Sequence, residues 1–230
     1  MIPAGPTVPA PLMRRYAAWS LDAAAVAVLT ALALGGRWSA ALDECRRALD
    51  DLTRAMAGTM QTALASDGTP LTLVQAWLTD PALHGATLTL AAALTALLLP
   101  AVLVFALVSL VWFPAFEGGA WQATPGKRVL GLRVIDDDAL APGYTRSALR
   151  QAAGLLSWLS LNFGHALAAM PPRHQALHDR IAGTRVVRTH ALPFPVWARA
   201  WLAMQLPACM LLLAMLMGAV DRSLADALTG

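Results

Sequence analysis

The chain has 230 residues, of which 57% are hydrophobic and only 13% are charged, whereas soluble domains usually carry about 25% charged residues. Together with a mean hydropathy of +0.55, this composition excludes an ordinary soluble domain and predicts a membrane protein. The formal net charge is +3, and the basic residues cluster beside the hydrophobic segments, which is typical of residues that set membrane topology rather than bind nucleic acid.

Four stretches of the chain carry few or no charged residues, at 17–36, 85–116, 151–170 and 200–220. About 20 apolar residues are enough to cross a bilayer as a helix. We therefore expect an all-α polytopic membrane protein in a single domain, with the lipid bilayer as its first partner. The first, second and fourth stretches are predicted to be full transmembrane helices.

The N-terminal segment, residues 1–13, contains four prolines and no charged residue. Because proline lacks the backbone N–H that a helix interior requires, we expect this segment to be a flexible tail. Arg14 and Arg15 follow it directly, and the positive-inside rule then predicts a cytoplasmic N-terminus.

The segment 37–84 follows the first span and carries six acidic residues against four arginines. This balance places it outside, opposite the basic loops. In its first half, apolar residues recur at spacings of three and four, and oppositely charged residues recur four apart, so we expect an external amphipathic helical insertion. Its apolar face packs on a neighbouring helix or the membrane surface, or it contacts a partner protein.

The third apolar stretch poses a topology problem, because both of its flanks are basic. The segments 117–150 and 171–196 are rich in lysine and arginine and are predicted to form one cytoplasmic basic module. A re-entrant pair of short helices, breaking at 161–164, would keep both flanks inside, since irregular backbone is tolerated in a membrane where protein or water covers it. The alternative is a fourth full span.

Two short matching sequences bear on the same question. GLRVI at 131–135 and GTRVV at 183–187 share the pattern Gly-x-Arg-Val-apolar, which suits short β-strands. If they lie on the same side of the membrane, they can pair as a small cytoplasmic β ribbon.

Asp22 lies inside the first apolar stretch. An acid in the hydrocarbon costs about 2.5 to 3.5 kcal/mol on insertion scales, so it should face the interior of the helix bundle and find a cation, a hydrogen-bond donor or water. Arg15 lies two helical turns earlier on the same face, at a rise of roughly 10 Å, which is too far for an easy direct ion pair. Asp22 is therefore the first candidate for an ion-binding or structural polar network.

Three short motifs resemble those of the RDD family of bacterial integral membrane proteins: R-x-x-A-x-x-x-D at 15–22, TPGKRVLGLRV at 124–134 and ALHDRIAGTRVV at 176–187. The resemblance implies that Arg15 and Asp22 are the family's arginine and first aspartate, and that Asp179 is the second aspartate. It also implies a location in the bacterial inner membrane, and it adds Lys127 of the second motif to the candidate network.

The remaining candidates lie around the third apolar stretch. Asp179 forms a local salt bridge or helix cap, or it is one end of a proton or cation relay with Asp22. His165, beside Asn162, either joins such a relay or bonds a backbone carbonyl. His178 is a hydrogen-bond partner; no metal site is expected there, because the surroundings are basic and no cysteine accompanies the histidines.

Two hypotheses of function remain, and neither is enzymatic or needs a cofactor. In the first, implied by the resemblance, the protein transports a small ligand or exchanges a cation for protons at an intramembrane aspartate. In the second, it is a non-transporting membrane scaffold or assembly factor, in which the external helix recruits a membrane protein or the chain forms a homo-oligomer.

Overall fold

The computed structural model describes residues 8–65, 69–159, 163–171, 174–190 and 192–229. The helices in these ranges are α1 (Leu12–Leu34), α2 (Gly36–Ala65), α3 (Pro70–Thr79), α4 (Pro81–Glu117), α5 (Pro125–Val129), α6 (Gly143–Leu159), α7 (Phe163–Ala166), α8 (Leu177–Ile181) and α9 (Val196–Thr229), with a 3-10 turn at Leu167–Ala169. The strands are β1 (Leu132–Asp136) and β2 (Thr184–Arg188). The predicted combination of mostly helical structure with a small β ribbon is confirmed.

Three helices in the described ranges are long and apolar enough to cross a membrane: Leu12–Leu34, Pro81–Glu117 and Val196–Leu228. These are the first, second and fourth apolar stretches of the sequence. The third stretch differs, because α6 contains 17 residues and is followed by the four-residue α7. The described part of the chain therefore contains three candidate spans and a separate pair of shorter helices.

The described residues fall into two compact units. The first contains the chain up to Thr30 together with Val104–Met204, and the second contains Ala31–Leu103 and the chain from Gln205. The first unit holds the ribbon and every motif singled out in the sequence. The second holds α2 and α3.

The β ribbon of the first unit pairs the two matching sequences. The pairing is as predicted; the structure adds that β1 and β2 are antiparallel, with Val134 opposite Val186. Gly131 and Gly183 precede the two strands and have φ values of +64° and +60°, a conformation that glycine adopts at little cost. The repeated glycine of the pattern is thus explained by the turn that begins each strand.

One face of the ribbon packs against the first turns of two spans. Leu132, Val134 and Val186 form a buried cluster with alanines of α1 and α9. The strands flank the third apolar stretch, one before it and one after it. Because they are hydrogen-bonded to each other, the segments that precede and follow that stretch are joined.

The predicted flexible tail is wrong for residues 8–13. The N–H of Ala10 donates to the carbonyl of Val186 at 3.1 Å, and the N–H of Arg188 donates to the carbonyl of Val8 at 2.9 Å. The segment therefore lines the free edge of β2, where proline is tolerated because an edge strand does not need every N–H. Helix α1 then begins at Leu12.

In the second unit, α2 is one helix of 30 residues. The ion pairs expected at a spacing of four are instead formed at a spacing of three: Arg46 with Asp43, Arg47 with Glu44, and Arg54 with Asp51. Asp50 of the same helix accepts a hydrogen bond from Ser223 of α9 at 2.7 Å. The hydroxyl groups of Ser223 and Thr53 are also hydrogen-bonded at 2.8 Å.

Candidate functional site

Asp22 is buried on α1, with 1% of its surface exposed. Its carboxylate accepts hydrogen bonds from the hydroxyl of Thr124 at 2.5 Å and from the backbone N–H of Gly126 at 2.9 Å. Trp112 Nε1 also donates to Oδ1 of Asp22, at 3.5 Å. All three donors are neutral groups, so the acid is stabilised by hydrogen bonds without a paired cation among the described residues.

The Thr-Pro-Gly sequence supplies these donors because it starts helix α5. Thr124 is the N-cap residue and accepts a hydrogen bond from the N–H of Lys127 at 3.4 Å. Pro125 occupies the first helical position, where its missing N–H costs nothing. The cap leaves the Thr124 hydroxyl proton and the N–H of Gly126 free to point at Asp22.

Gly126 is required by close packing. A Cβ at this position would lie 2.3 Å from the backbone oxygen of Ala18 and 2.8 Å from Asp22 Oδ2. Both distances are far below van der Waals contact, so only glycine lets the turn approach α1 closely enough to bind the carboxylate. The first and second motifs of the sequence are thus two halves of one contact.

A second buried group, which we call the ionic cluster, contains Arg15, Glu117, Lys127, Arg150 and Asp179. Asp179 is 0% exposed and forms an ion pair with Arg15. Its Oδ1 also accepts from Arg150 Nε at 2.8 Å. Its Oδ2 accepts the N–H of Ala176 at 3.0 Å and so caps α8.

Glu117, at the end of α4, forms the other half of the cluster. It is 0% exposed and accepts from Lys127 Nζ at 2.5 Å. Its second oxygen pairs with Arg150, so that the one guanidinium of Arg150 bridges two buried carboxylates. The cluster joins α1, α4, α5, α6 and α8 with three cations and two anions.

The charges of the cluster fix the ionisation of Asp179. Burial by itself raises the pKa of this carboxyl, but Arg15 and Arg150 outweigh burial and hold the pKa well below its ordinary value. Burial, together with the charges of Arg150 and Arg15, lowers the pKa of the neighbouring His178 by more than Asp179 raises it. At neutral pH, Asp179 is therefore ionised and His178 is neutral.

The histidines lie at the edge of the ionic cluster. His178 Nε2 is 3.3 Å from Asp179 Oδ1, and the rings of His165 and His178 have centroids 5.2 Å apart. Asn162, which the sequence placed with them, lies outside the described residues. His174 contributes its backbone carbonyl, which accepts from Arg15 at 3.0 Å.

The predicted site residues therefore separate into two groups. Arg15, Lys127, His178 and Asp179 meet in or beside the ionic cluster, whereas Asp22 binds the turn that starts α5. No hydrogen bond or ion pair between Asp22 and Asp179 is present in the described part of the chain. Asp179 caps α8 through the N–H of Ala176, but its ion pairs with arginine are formed with Arg15 and Arg150, which are distant in sequence rather than local.

Sequence reasoning missed Glu117 and Arg150. Glu117 ends an apolar run of more than 30 residues, and Arg150 directly precedes another uncharged stretch, so the sequence pattern alone indicates only that both flank membrane segments. One signal was available: Glu117 is the only acid between Asp80 and Asp136. An isolated acid at the end of a span, with lysine and arginine nearby in sequence, indicates a buried ion pair.

Replacing Gly126 with alanine is expected to lower the free energy of unfolding by about 1–3 kcal/mol, because the added methyl group overpacks the contact with α1. The matched control is Gly154→Ala in α6, where a Cβ would meet no atom within 4 Å. This control should be neutral or stabilising by up to about 1 kcal/mol. Thermal unfolding in detergent measures both; equal effects would contradict the role of Gly126.

Acid is expected to remove the contribution of Asp179 to stability. Because its pKa is lower in the folded state, the contribution is complete above the unfolded pKa of about 3.9 and is lost as pH falls through the folded value. The loss of thermal midpoint below pH 4 should be smaller in Asp179→Asn than in the parent. Asp43 is an exposed acid on α2, so Asp43→Asn should lose as much of its thermal unfolding midpoint below pH 4 as the parent does. If Asp179→Asn also lost as much as the parent, the ionised buried state of Asp179 would be contradicted.

Comparison with known proteins agrees with these motifs. The model of the RDD family matches residues 9–183, a range that contains the Asp22 contact and the ionic cluster. The "Uncharacterized protein YxaI" of Bacillus subtilis (strain 168) is 29% identical over 94 residues, which are 41% of this chain and 62% of that protein. The chain thus spans less than two thirds of that relative. No solved structure matches the present chain.

The family match extends over most of the chain and includes the first two motifs and the first eight residues of the third, with Asp179 among them. Three helices of the described residues are long and apolar enough to cross a membrane. The chain belongs to the RDD family of membrane proteins.

Proposed function

We propose that this RDD-family protein is a non-enzymatic, non-transporting scaffold of the bacterial inner membrane, with its N-terminus in the cytoplasm. The observation that carries the proposal is that Asp22, Glu117 and Asp179 are each held by two or more fixed donors. A scaffold needs such an arrangement, because buried acids that are fully hydrogen-bonded rigidify the bundle.

A carrier needs the opposite property. To bind and release a cation, a carboxylate must exchange partners during each cycle. Asp179 would have to leave both Arg15 and Arg150, and breaking a buried pair typically costs about 3–5 kcal/mol because an uncompensated charge remains. The ionic cluster is therefore better suited to holding helices together than to moving ions.

Contacts at both ends of the third apolar stretch support the proposed topology. Arg150 lies before the third apolar stretch and Asp179 after it, and their side chains are 2.8 Å apart. Gly164 of α7 also packs against Ser157 of α6, where a Cβ would come within 2.4 Å of the serine oxygen. These contacts support a re-entrant stretch with both basic flanks in the cytoplasm, rather than a fourth full span.

The partner surface of the proposed scaffold is the charged face of α2. The side chains of Arg46 and Arg54 are 75% and 67% exposed, and their ion pairs lie at the surface, where such pairs contribute little to stability. Their charges thus remain available for a partner. We place this face outside, where it binds a membrane protein or a second copy of the chain.

One observation favours cation or proton exchange as a second candidate. Asp22 is the buried acid whose donors in the described residues are all neutral. An intramembrane carboxylate without a paired cation can in principle take up a proton. If the protein transports, Asp22 is the residue at which it does so.

Flux measurement separates these two candidates. In proteoliposomes with an imposed pH gradient, neither the parent nor Asp22→Asn should dissipate the gradient when sodium or potassium is added, because the scaffold moves no ions. An ionophore added at the end verifies that the vesicles are sealed. Cation-dependent flux in the parent that Asp22→Asn abolishes would contradict the scaffold and establish exchange.

Photocrosslinking tests the partner surface directly. A photoreactive residue at position 46, on the exposed face of α2, should give a discrete adduct with a membrane protein or a second copy in intact cells. The matched control is position 48 on the same helix, since Ala48 is only 1% exposed. The scaffold proposal fails if position 46 gives no adduct, or if both positions give the same products.

A further inference from the structure

The β ribbon carries arginines that the buried network does not use. Arg133 lies opposite Val187, and Arg185 lies opposite Ile135. Arg133 and Arg185 are therefore diagonal neighbours on one face of the ribbon, at a spacing that long side chains can bridge. The second face of the ribbon carries the apolar cluster with α1 and α9.

Neither arginine forms an ion pair with an acidic residue of the described ranges. Across the described ranges, the ion pairs involve other arginines, lysine and histidine, and none includes Arg133 or Arg185. Asp137 comes near the start of β2, where its Oδ2 is 3.6 Å from the Cβ position of Gly183, but it forms no ion pair with Arg185. Two like charges on neighbouring strands repel each other unless an anion lies between them.

The surroundings indicate which anion is available. The ribbon packs on Ala17 and Ala18 near the start of α1 and on Ala198 near the start of α9, so it lies where two candidate spans begin. Trp197, at the same end of α9, is 45% exposed, and exposed tryptophan is typical of the headgroup level of a bilayer. Phosphate is the anion present at that level.

We propose that Arg133 and Arg185 together bind the phosphate of an anionic phospholipid headgroup. The planar guanidinium offers paired N–H donors that match phosphate oxygens, and the inner leaflet of the membrane is rich in anionic lipid. The ribbon is thereby attached to the membrane surface at a defined depth. This site rests on the proposed cytoplasmic placement of the ribbon, but it goes beyond the scaffold proposal and does not depend on whether the protein transports.

The test is a lipid titration of the full-length protein in a neutral detergent. Short-chain phosphatidylglycerol should raise the thermal unfolding midpoint by several degrees, through preferential binding to the folded state, and phosphatidylcholine should not. In R133Q/R185Q the shift should disappear. R133K/R185K keeps the charges but loses the paired donors, and should retain only part of the shift.

Arg188 provides the matched control, because it is also an arginine of β2 without an ion pair among the described residues, but it lies on the other face of the ribbon, opposite Leu132. R188Q should keep the full response to phosphatidylglycerol. An equal loss in R188Q would reveal a general charge effect and overturn the proposal. So would an unchanged shift in R133Q/R185Q, or an equal shift with inorganic phosphate alone, which would remove the assignment to lipid.

Discussion

The bridge that Arg150 makes between Glu117 and Asp179 is the interaction on which the first unit depends. Two carboxylates that are 0% exposed can remain ionised only when cations and donors replace the water that they lost. Arg150 reaches both of them from α6, while Arg15 and Lys127 each complete one side. If the bridge were absent, each carboxylate would keep one cation and lose the other.

The first motif of the chain contacts both of the other motifs. The arginine and the aspartate of the first motif point to different partners: Arg15 binds Asp179 of the third motif, and Asp22 binds the turn of the second. The short spacing between Arg15 and Asp22 thus places two contacts on one helix face rather than forming one contact. The same arrangement gives Gly126 its role, because the turn must touch α1 at Ala18.

The sequence predicted those features that depend on local pattern. The candidate spans followed from apolar length, and the ribbon followed from two copies of Gly-x-Arg-Val. The partners of the buried acids could not be predicted in this way, because they lie far apart in sequence: Arg15 and Asp179 are separated by 164 residues, and Asp22 and Thr124 by 102. Burial of Asp22 could be argued from the cost of an acid in lipid, but its neutral donors depend on tertiary packing.

A double-mutant cycle on Arg150→Gln and Asp179→Asn tests the central claim most directly, because it isolates one half of the Arg150 bridge from the rest of the fold. If Asp179 is held in place by Arg150, the free energies of unfolding of the two single variants and the double variant should give a coupling of at least about 1 kcal/mol. Additive effects of the two substitutions would contradict a fixed ionic cluster.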